Sequence, residues 1–187
     1  MGEQGFPWRS LPERKQYMWY VIQTVTGKEK LIKDTLQNIF RRDLYGQIDF
    51  RLIFYELKRK YRGEWHSEKK LMFPGYVFAV TDSYEELKEK LKEVPYFTKM
   101  IGTGKEIVPI SREEELTLKR LSGDTETVPM STGIIEGDRV IITEGNLKGL
   151  ESSIRKIDRH KRKAWIEIDI LGETRLVEAG LEIVRKI

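Results

Sequence analysis

The sequence predicts an α+β fold in which an α/β sandwich, built from an antiparallel sheet and helices, precedes a small all-β barrel. Strand and helix patterns share the chain up to residue 121, and a stretch without periodicity follows. Beyond that stretch, short β-rich runs are separated by single glycines, which is typical of a barrel of about five strands. We therefore predict an N-terminal tail (1–17), an α/β domain (18–121), a linker (122–133) and an all-β domain (134–187).

The first elements of the α/β domain follow from residue spacing. Aromatic and β-branched residues at 18–25 predict a strand. Apolar residues then recur at helical spacing over 28–42, with Lys and Asp between them, which predicts an amphipathic helix. The stretch 48–71 is strand-like and highly charged on both sides of Arg62-Gly63. Because this dipeptide is a turn signal, we predict a long hairpin with few core residues near its tip.

The second half of this domain contains two predicted helices. An apolar run at 75–81 predicts a strand, and the pattern over 83–94 predicts a helix that Pro95 stops. A short strand is expected at 107–110. The segment 111–121 opens with the Ser-x-x-Glu pattern of a capping box, which predicts a second helix.

The all-β domain is predicted from β-branched runs between glycines that permit tight turns. Isoleucine is frequent in these runs and favours strands, so we expect a stable β structure rather than helices between 134 and 187. The predicted strands are 139–143, 150–157, 164–170 and 175–178.

Composition excludes several functional classes. The absence of cysteine excludes disulfides, thiolate metal sites and a cysteine nucleophile. The two histidines lie far apart, and the chain has no HExxH, P-loop or GxSxG motif, so we expect no enzyme, metal or cofactor. No apolar run approaches the length of a membrane span, and the first ten residues lack the pattern of a secretory signal. We therefore expect a cytoplasmic protein.

A basic cluster near the C-terminus is the first candidate binding site. Although the formal net charge is only +4, basic residues crowd 155–163, where Asp158 is the only acid. Hydrophobic strands on both sides place 159–163 at a hairpin tip, where cations can meet phosphates. A solvated turn is the alternative explanation. The candidate RNA-binding residues, with two from the neighbouring loop, are Asn146, Lys148, Arg155, Lys156, Arg159, His160, Lys161, Arg162 and Lys163.

Three segments together resemble the NusG family. Residues 19–29 (WYVIQTVTGKE) are similar to the opening strand and first helix of its N-terminal (NGN) domain. Residues 71–78 (LMFPGYVF) are similar to its central signature, and 136–149 (EGDRVIITEGNLKG) to a KOW motif. A KOW motif alone is weak, because ribosomal proteins carry it too. The three segments in this order are specific, and the resemblance covers about residues 18–187.

The resemblance implies a partner for the N-terminal domain. An NGN domain packs an apolar patch onto the clamp coiled coil of bacterial RNA polymerase, bridges the nucleic-acid cleft and reduces pausing. For Phe73, Tyr76 and Phe78, the alternative is a role in the core. By resemblance, the patch would include or adjoin Phe73, Pro74, Tyr76 and Phe78, with Tyr96 and Ile101 as weaker candidates.

The C-terminal domain indicates whether the chain resembles a housekeeping or a specialised member of the family. In housekeeping members the loop corresponding to 169–175 binds Rho or a ribosomal protein, using an aromatic residue beside the glycine and a basic residue just after it. Leu171 and Glu173 occupy these positions here. Together with the basic cluster, this departure resembles the specialised antiterminators, LoaP and more distantly RfaH. The threonines with which RfaH reads non-template DNA are missing from 84–90.

We therefore expect an operon-specific processive antitermination factor that binds RNA polymerase and a nascent RNA hairpin. We also expect a monomer, with non-template DNA as a further candidate partner. Two alternatives remain open: a housekeeping NusG-type elongation factor whose KOW domain binds proteins, and a KOW RNA-binding protein with no polymerase role.

Overall fold

A computed structural model describes residues 17–42, 48–96, 98–103 and 106–187. The predicted N-terminal tail, apart from Tyr17, lies outside the described residues. Within these ranges the chain forms, in order, β1 (Met18–Thr24), α1 (Glu29–Arg42), β2 (Asp49–Arg51), β3 (Phe54–Tyr61), β4 (Glu64–Leu71), β5 (Tyr76–Thr81), α2 (Tyr84–Leu91), β6 (Thr98–Ile101), α3 (Arg112–Ser122), β7 (Thr127–Val128), β8 (Ser131–Glu136), β9 (Arg139–Glu144), β10 (Ile154–Asp158), β11 (Lys163–Ile170) and β12 (Glu173–Lys186).

Contacts divide the chain into two compact units. The first contains the residues up to Leu52 together with Pro74–Ser111, and the second contains Ile53–Phe73 together with Arg112–Ile187. The predicted boundaries at 121 and 134 do not coincide with this division. The β3–β4 hairpin and α3, both expected in the N-terminal domain, pack with the C-terminal strands instead.

The first unit is an antiparallel sheet in the order β2-β5-β1-β6, with α1 packed on β5. Helix α1 forms because Ile32, Leu36 and Phe40 recur at four-residue spacing, which places them on one buried face. The Phe40 ring lies 5.3 Å from that of Phe50 in β2. Every residue of β5 is buried, since β5 lies between two strands and under a helix.

The second unit contains a five-stranded sheet in the order β10-β11-β12-β8-β9 and a three-stranded sheet in the order β4-β3-β7. The predicted hairpin is present as β3–β4. Arg62 and Gly63 both have positive φ, 50° and 87°, as a type I′ turn requires. The core of the larger sheet is aliphatic, with Ile166 and Ile168 of β11 fully or almost fully buried. The α+β class and the predominance of strands beyond residue 134 are confirmed.

Tyr55 links the two sheets of the second unit. Its hydroxyl donates a 2.6 Å hydrogen bond to Glu178 Oε2 on β12, and the residue is 3% exposed. Gly180 on β12 permits the close approach, because a Cβ there would clash with the Glu56 carbonyl oxygen.

Two local predictions differ from the structure. The predicted linker is not free of secondary structure: it contains β7, which pairs in parallel with β3, and the start of β8. Because β3 is distant in sequence, its pairing with β7 leaves no local residue pattern in the segment 122–133. The prediction of a short strand at 107–110 is wrong. The strand that follows α2 is β6, at 98–101, and it pairs with β1 on the side opposite β5. Barrel closure stays a prediction, since β9 and β10 are the edges of the five-stranded sheet.

Candidate nucleic-acid interface

The predicted hairpin tip is a four-residue loop, 159–162, between paired Asp158 and Lys163; we call it the tip loop. The Lys161 amide donates a 2.9 Å hydrogen bond to Asp158 Oδ1, and this hydrogen bond lowers the pKa of the Asp158 carboxyl. Asp158 thus acts as the capping acid of the turn. The side chains of Arg159, His160 and Lys161 are exposed, which fits both a phosphate-binding loop and a solvated turn.

Arg162 and Lys163 differ from the three tip-loop residues before them, because their side chains contact other parts of the protein. The Arg162 guanidinium lies 3.5 Å from the centre of the Trp65 ring and 3.1 Å from Glu182 Oε1. Lys163 lies 2.5 Å from Glu178 Oε1 and 4.5 Å from the Trp165 ring centre. Their side chains are only 22% and 15% exposed. The expectation that both are free to meet phosphates is therefore wrong, because each is held by an acid and an aromatic ring.

The strand positions of the cluster are partly engaged. Arg155 lies 2.5 Å from Glu167 Oε2 and donates a 2.7 Å hydrogen bond to the Ser152 carbonyl. The Lys156 ammonium lies 4.9 Å from the Trp165 ring centre, and Lys156 is exposed. Both cations remain at the surface.

The two residues from the neighbouring loop have different environments. Asn146 Nδ2 donates a 2.7 Å hydrogen bond to the Leu121 carbonyl at the end of α3. This bond uses one of the two N–H donors of the side-chain amide, which gives Asn146 a structural role; RNA contact through the other donor stays a prediction. Lys148 is exposed, and its carbonyl oxygen accepts a hydrogen bond from Arg120.

The β3–β4 hairpin adds residues that sequence reasoning missed. Tyr61 is 59% exposed and Trp65 41% exposed, which is unusual for large aromatic side chains. The cations Arg59, Lys60 and Arg62 are exposed beside them. Cations interleaved with aromatics between 58 and 65 were the signal that could have revealed this surface.

The predicted polymerase patch is mostly buried. Phe73 is 4%, Tyr76 9% and Phe78 0% exposed, which favours the alternative of a core role for these three, while their part in polymerase binding stays a prediction. Two of them belong to β5, which is buried along its whole length: Phe78 lies between β1 and β2, with its ring 6.0 Å from that of Trp19. The exposed or half-exposed members are Pro74, Tyr96 and Ile101.

The Phe-Pro-Gly segment has a structural partner in the first helix. Glu29 is 2% exposed, and its carboxylate accepts hydrogen bonds from the Gly75 amide (2.7 Å) and the Gly27 amide (2.8 Å). Gly75 has φ +82°, a conformation that glycine adopts without strain. The Gly-Lys-Glu and Phe-Pro-Gly motifs therefore meet at one carboxylate.

The β11–β12 turn explains the departure at 171. Leu171 has φ +55° and is only 7% exposed. The next amide, of Gly172, donates a 2.9 Å hydrogen bond to Glu114 Oε1 on α3. Leu171 is thus a packing residue, while Glu173 is exposed.

Among the described residues, no group of three or more His, Asp or Glu side chains could hold a metal ion. In the same part of the chain, no helix has the length and apolar character needed to cross a membrane.

Comparisons with known proteins place the chain among transcription termination and antitermination factors. It is 23% identical over 172 residues to the transcription termination/antitermination protein NusG of Helicobacter pylori J99, covering 90% of this chain and 98% of that protein. The NusG proteins of Campylobacter jejuni and Thermus thermophilus are 25% and 26% identical, over 91% and 90% of this chain. The family profile described as transcription termination factor nusG matches residues 17–119. The chain belongs to the NusG family.

A solved structure, described as domain interaction in Thermotoga maritima NusG, has the same fold. It aligns with a TM-score of 0.55 and 21% identity, over 90% of this chain and 94% of that one. The resemblance to the NusG family, drawn from the three motifs, is thereby confirmed. Relatives that are transcription factors also agree with the expectation of a protein that is not an enzyme.

Proposed function

We propose that this chain is an operon-specific processive antitermination factor. It binds RNA polymerase through its N-terminal NGN region and a nascent RNA hairpin through the C-terminal β-rich region. The observation that carries the proposal is the tip loop, which presents Arg159, His160 and Lys161 to solvent beside the surface cations Arg155 and Lys156. Such a concentration of cations on a small sheet suits a phosphate backbone.

The turn at 171–173 supports a specialised rather than a housekeeping role. A housekeeping factor would need an exposed aromatic and a basic residue here to bind Rho or a ribosomal protein. Leu171 is instead packed inside, and Glu173 gives the exposed position a negative charge. The housekeeping alternative therefore lacks the side chains for that contact.

The polymerase contact rests on family membership and on a smaller exposed surface than the sequence suggested. Pro74 and Tyr96 are exposed, and Ile101 is half-exposed. These three are the candidates to meet the clamp coiled coil directly. Phe73, Tyr76 and Phe78 would then support the surface from within.

In vitro transcription tests the proposal. Templates with and without a leader that forms an RNA hairpin are transcribed through a terminator, and readthrough is measured with the full-length protein. We expect readthrough only with the leader, and its loss in the double variant Arg159→Ala/Lys161→Ala. The matched control is Arg139→Ala/Lys186→Ala, which removes the same charge from exposed positions of the same sheet.

Readthrough that is independent of the leader would support the housekeeping alternative. Equal loss in both double variants would mean that total charge, not the tip loop, carries the effect. An absence of any effect on transcription, with RNA binding intact, would favour a KOW RNA-binding protein without a polymerase role.

A further inference from the structure

Trp65 stands out among the exposed residues of the second unit. It lies on β4, where six of eight positions are exposed, and its own side chain is 41% exposed. One face of its ring is covered by the Arg162 guanidinium at 3.5 Å. Because a cation covers that face, the exposed area of the indole lies on the opposite face and at the ring edge.

Arg162 is fixed in this position by three features. Its guanidinium is 3.1 Å from Glu182 Oε1, and its backbone has φ +51°, a left-handed conformation that the tip loop imposes. The amide of Leu181 also donates a 2.9 Å hydrogen bond to the Arg162 carbonyl. The indole is therefore held by a rigid support, which lowers the entropy cost of binding a further planar group.

Cations neighbour the ring on two elements, the hairpin and the tip loop. Lys60 is the cross-strand partner of Trp65, so both side chains are on the same face of the hairpin. The tip loop, which carries Arg159 and Lys161, is joined to the ring through Arg162. An exposed aromatic ring beside cations of two elements suits single-stranded nucleic acid, with a base on the ring and phosphates on the cations.

We propose that Trp65 is a stacking platform for an unpaired base of RNA. Arg162 positions the indole, while Lys60 and the tip loop bind the flanking phosphates. This inference deepens the proposed function and rests on it, since it takes RNA as the ligand. It assigns the hairpin loop or another unpaired segment, rather than the paired stem, to this part of the surface.

Fluorescence anisotropy with labelled RNA provides the test, using the full-length protein. One probe is an RNA stem closed by an unstructured loop, and the other is the same stem as a blunt duplex. Trp65→Ala should weaken binding of the looped RNA by about ten-fold and leave duplex binding unchanged. The salt dependence of binding should keep its slope, because stacking releases no counterions.

Three further variants make the result specific. Trp65→Tyr keeps an aromatic face and should restore most of the affinity. Arg162→Lys keeps the charge but loses the planar group, so it should weaken looped RNA at an unchanged salt slope, which identifies a positioning role. Leu116→Ala removes an exposed apolar side chain of α3 in the same unit, outside the proposed interface, and should have no effect.

The outcomes separate this inference from the proposed function. Normal looped-RNA binding by Trp65→Ala, with loss in Arg159→Ala/Lys161→Ala, would refute the platform and leave the function intact. Equal losses for looped and duplex RNA would also refute it. If the wild-type protein bound neither probe, both the proposed function and the platform would be overturned. Circular dichroism confirms that each variant is folded.

Discussion

The hydrogen bond between Tyr55 and Glu178 gives a sharp test of how the β3–β4 hairpin is attached to the larger sheet. Tyr55→Phe removes only the hydroxyl from a residue that is 3% exposed. Glu178 is left with Lys163, 2.5 Å away, so its charge stays paired. The variant therefore reports the bond itself and creates neither a cavity nor an isolated charge.

The expected loss is about 1.5 kcal/mol of unfolding free energy. A hydrogen bond to a charged group contributes about 1.5–3 kcal/mol, and the remaining partner of Glu178 places this one at the lower end. In a chain of this size, such a loss lowers the melting temperature by roughly 3–6 °C. Tyr61→Phe is the control, because the Tyr61 side chain is 59% exposed.

The stability contributed by the Tyr55–Glu178 hydrogen bond should depend on pH in a defined direction. Burial alone would raise the pKa of Glu178, but hydrogen bonds from Lys163 and Tyr55 outweigh it and lower that pKa. The pKa of Tyr55 is raised, first by burial and then by Glu178, so its hydroxyl remains a donor. A lowered folded-state pKa contributes stability above the unfolded value, about 4.3 for Glu, and loses it as the pH falls through the folded value.

Urea unfolding followed by tryptophan fluorescence measures the effect. The difference between wild type and Tyr55→Phe should be full at neutral pH and should be smaller at an acidic pH below about 4.3, as the pH falls through the lowered pKa of Glu178. A difference of the same size at both pH values would refute the ionic character of the bond. No difference at neutral pH, or an equal loss in Tyr61→Phe, would refute the bond's contribution altogether.

Two further pairs of substitutions test the packing and the polymerase-binding surface. Gly145→Ala should lower the unfolding free energy by more than about 2 kcal/mol, because Gly145 has φ +97° and a Cβ there would lie 2.7 Å from Ser131 Cα. Gly137→Ala should lower it by only about 1 kcal/mol, because Gly137 has φ +58° and open space around it. Urea unfolding measures both losses. Phe78→Ala should cost about 3–5 kcal/mol, whereas Tyr96→Ala should leave stability unchanged and weaken polymerase binding in a pull-down. A stable Phe78→Ala that loses polymerase binding would return Phe78 to the docking surface.

Local patterns in the sequence were sufficient for the elements that depend on neighbours along the chain. The apolar spacing of α1, the Arg62-Gly63 turn and the apolar run of β5 are each encoded within a few residues. The parallel pairing of β7 with β3 is not, since its partners lie more than seventy residues apart. The strand at 98–101 likewise depends on the edge that β1 offers it.

The candidate site divides in the same way. The sequence located the basic cluster because charge density is a local property. It did not reveal which cations face the protein: Arg162 and Lys163 turn towards acids and rings on β12, β4 and β11. The burial of Phe73 and Phe78 also depends on tertiary packing, which an aromatic motif does not report. Asn146 was assigned by its donor chemistry, but one of its two amide N–H donors bonds a helix end 25 residues away in sequence.

The carboxylate of Glu29 has a consequence for anyone who exchanges segments between relatives of this protein. It joins the amides of Gly27 and Gly75, so two motifs that are separate in the sequence share a single anchor. A chimera that takes the loop before β5 from one parent and the start of α1 from another will keep this anchor only if both parents place the carboxylate identically. The loop before β5 and the start of α1 should therefore be transferred together from the same parent.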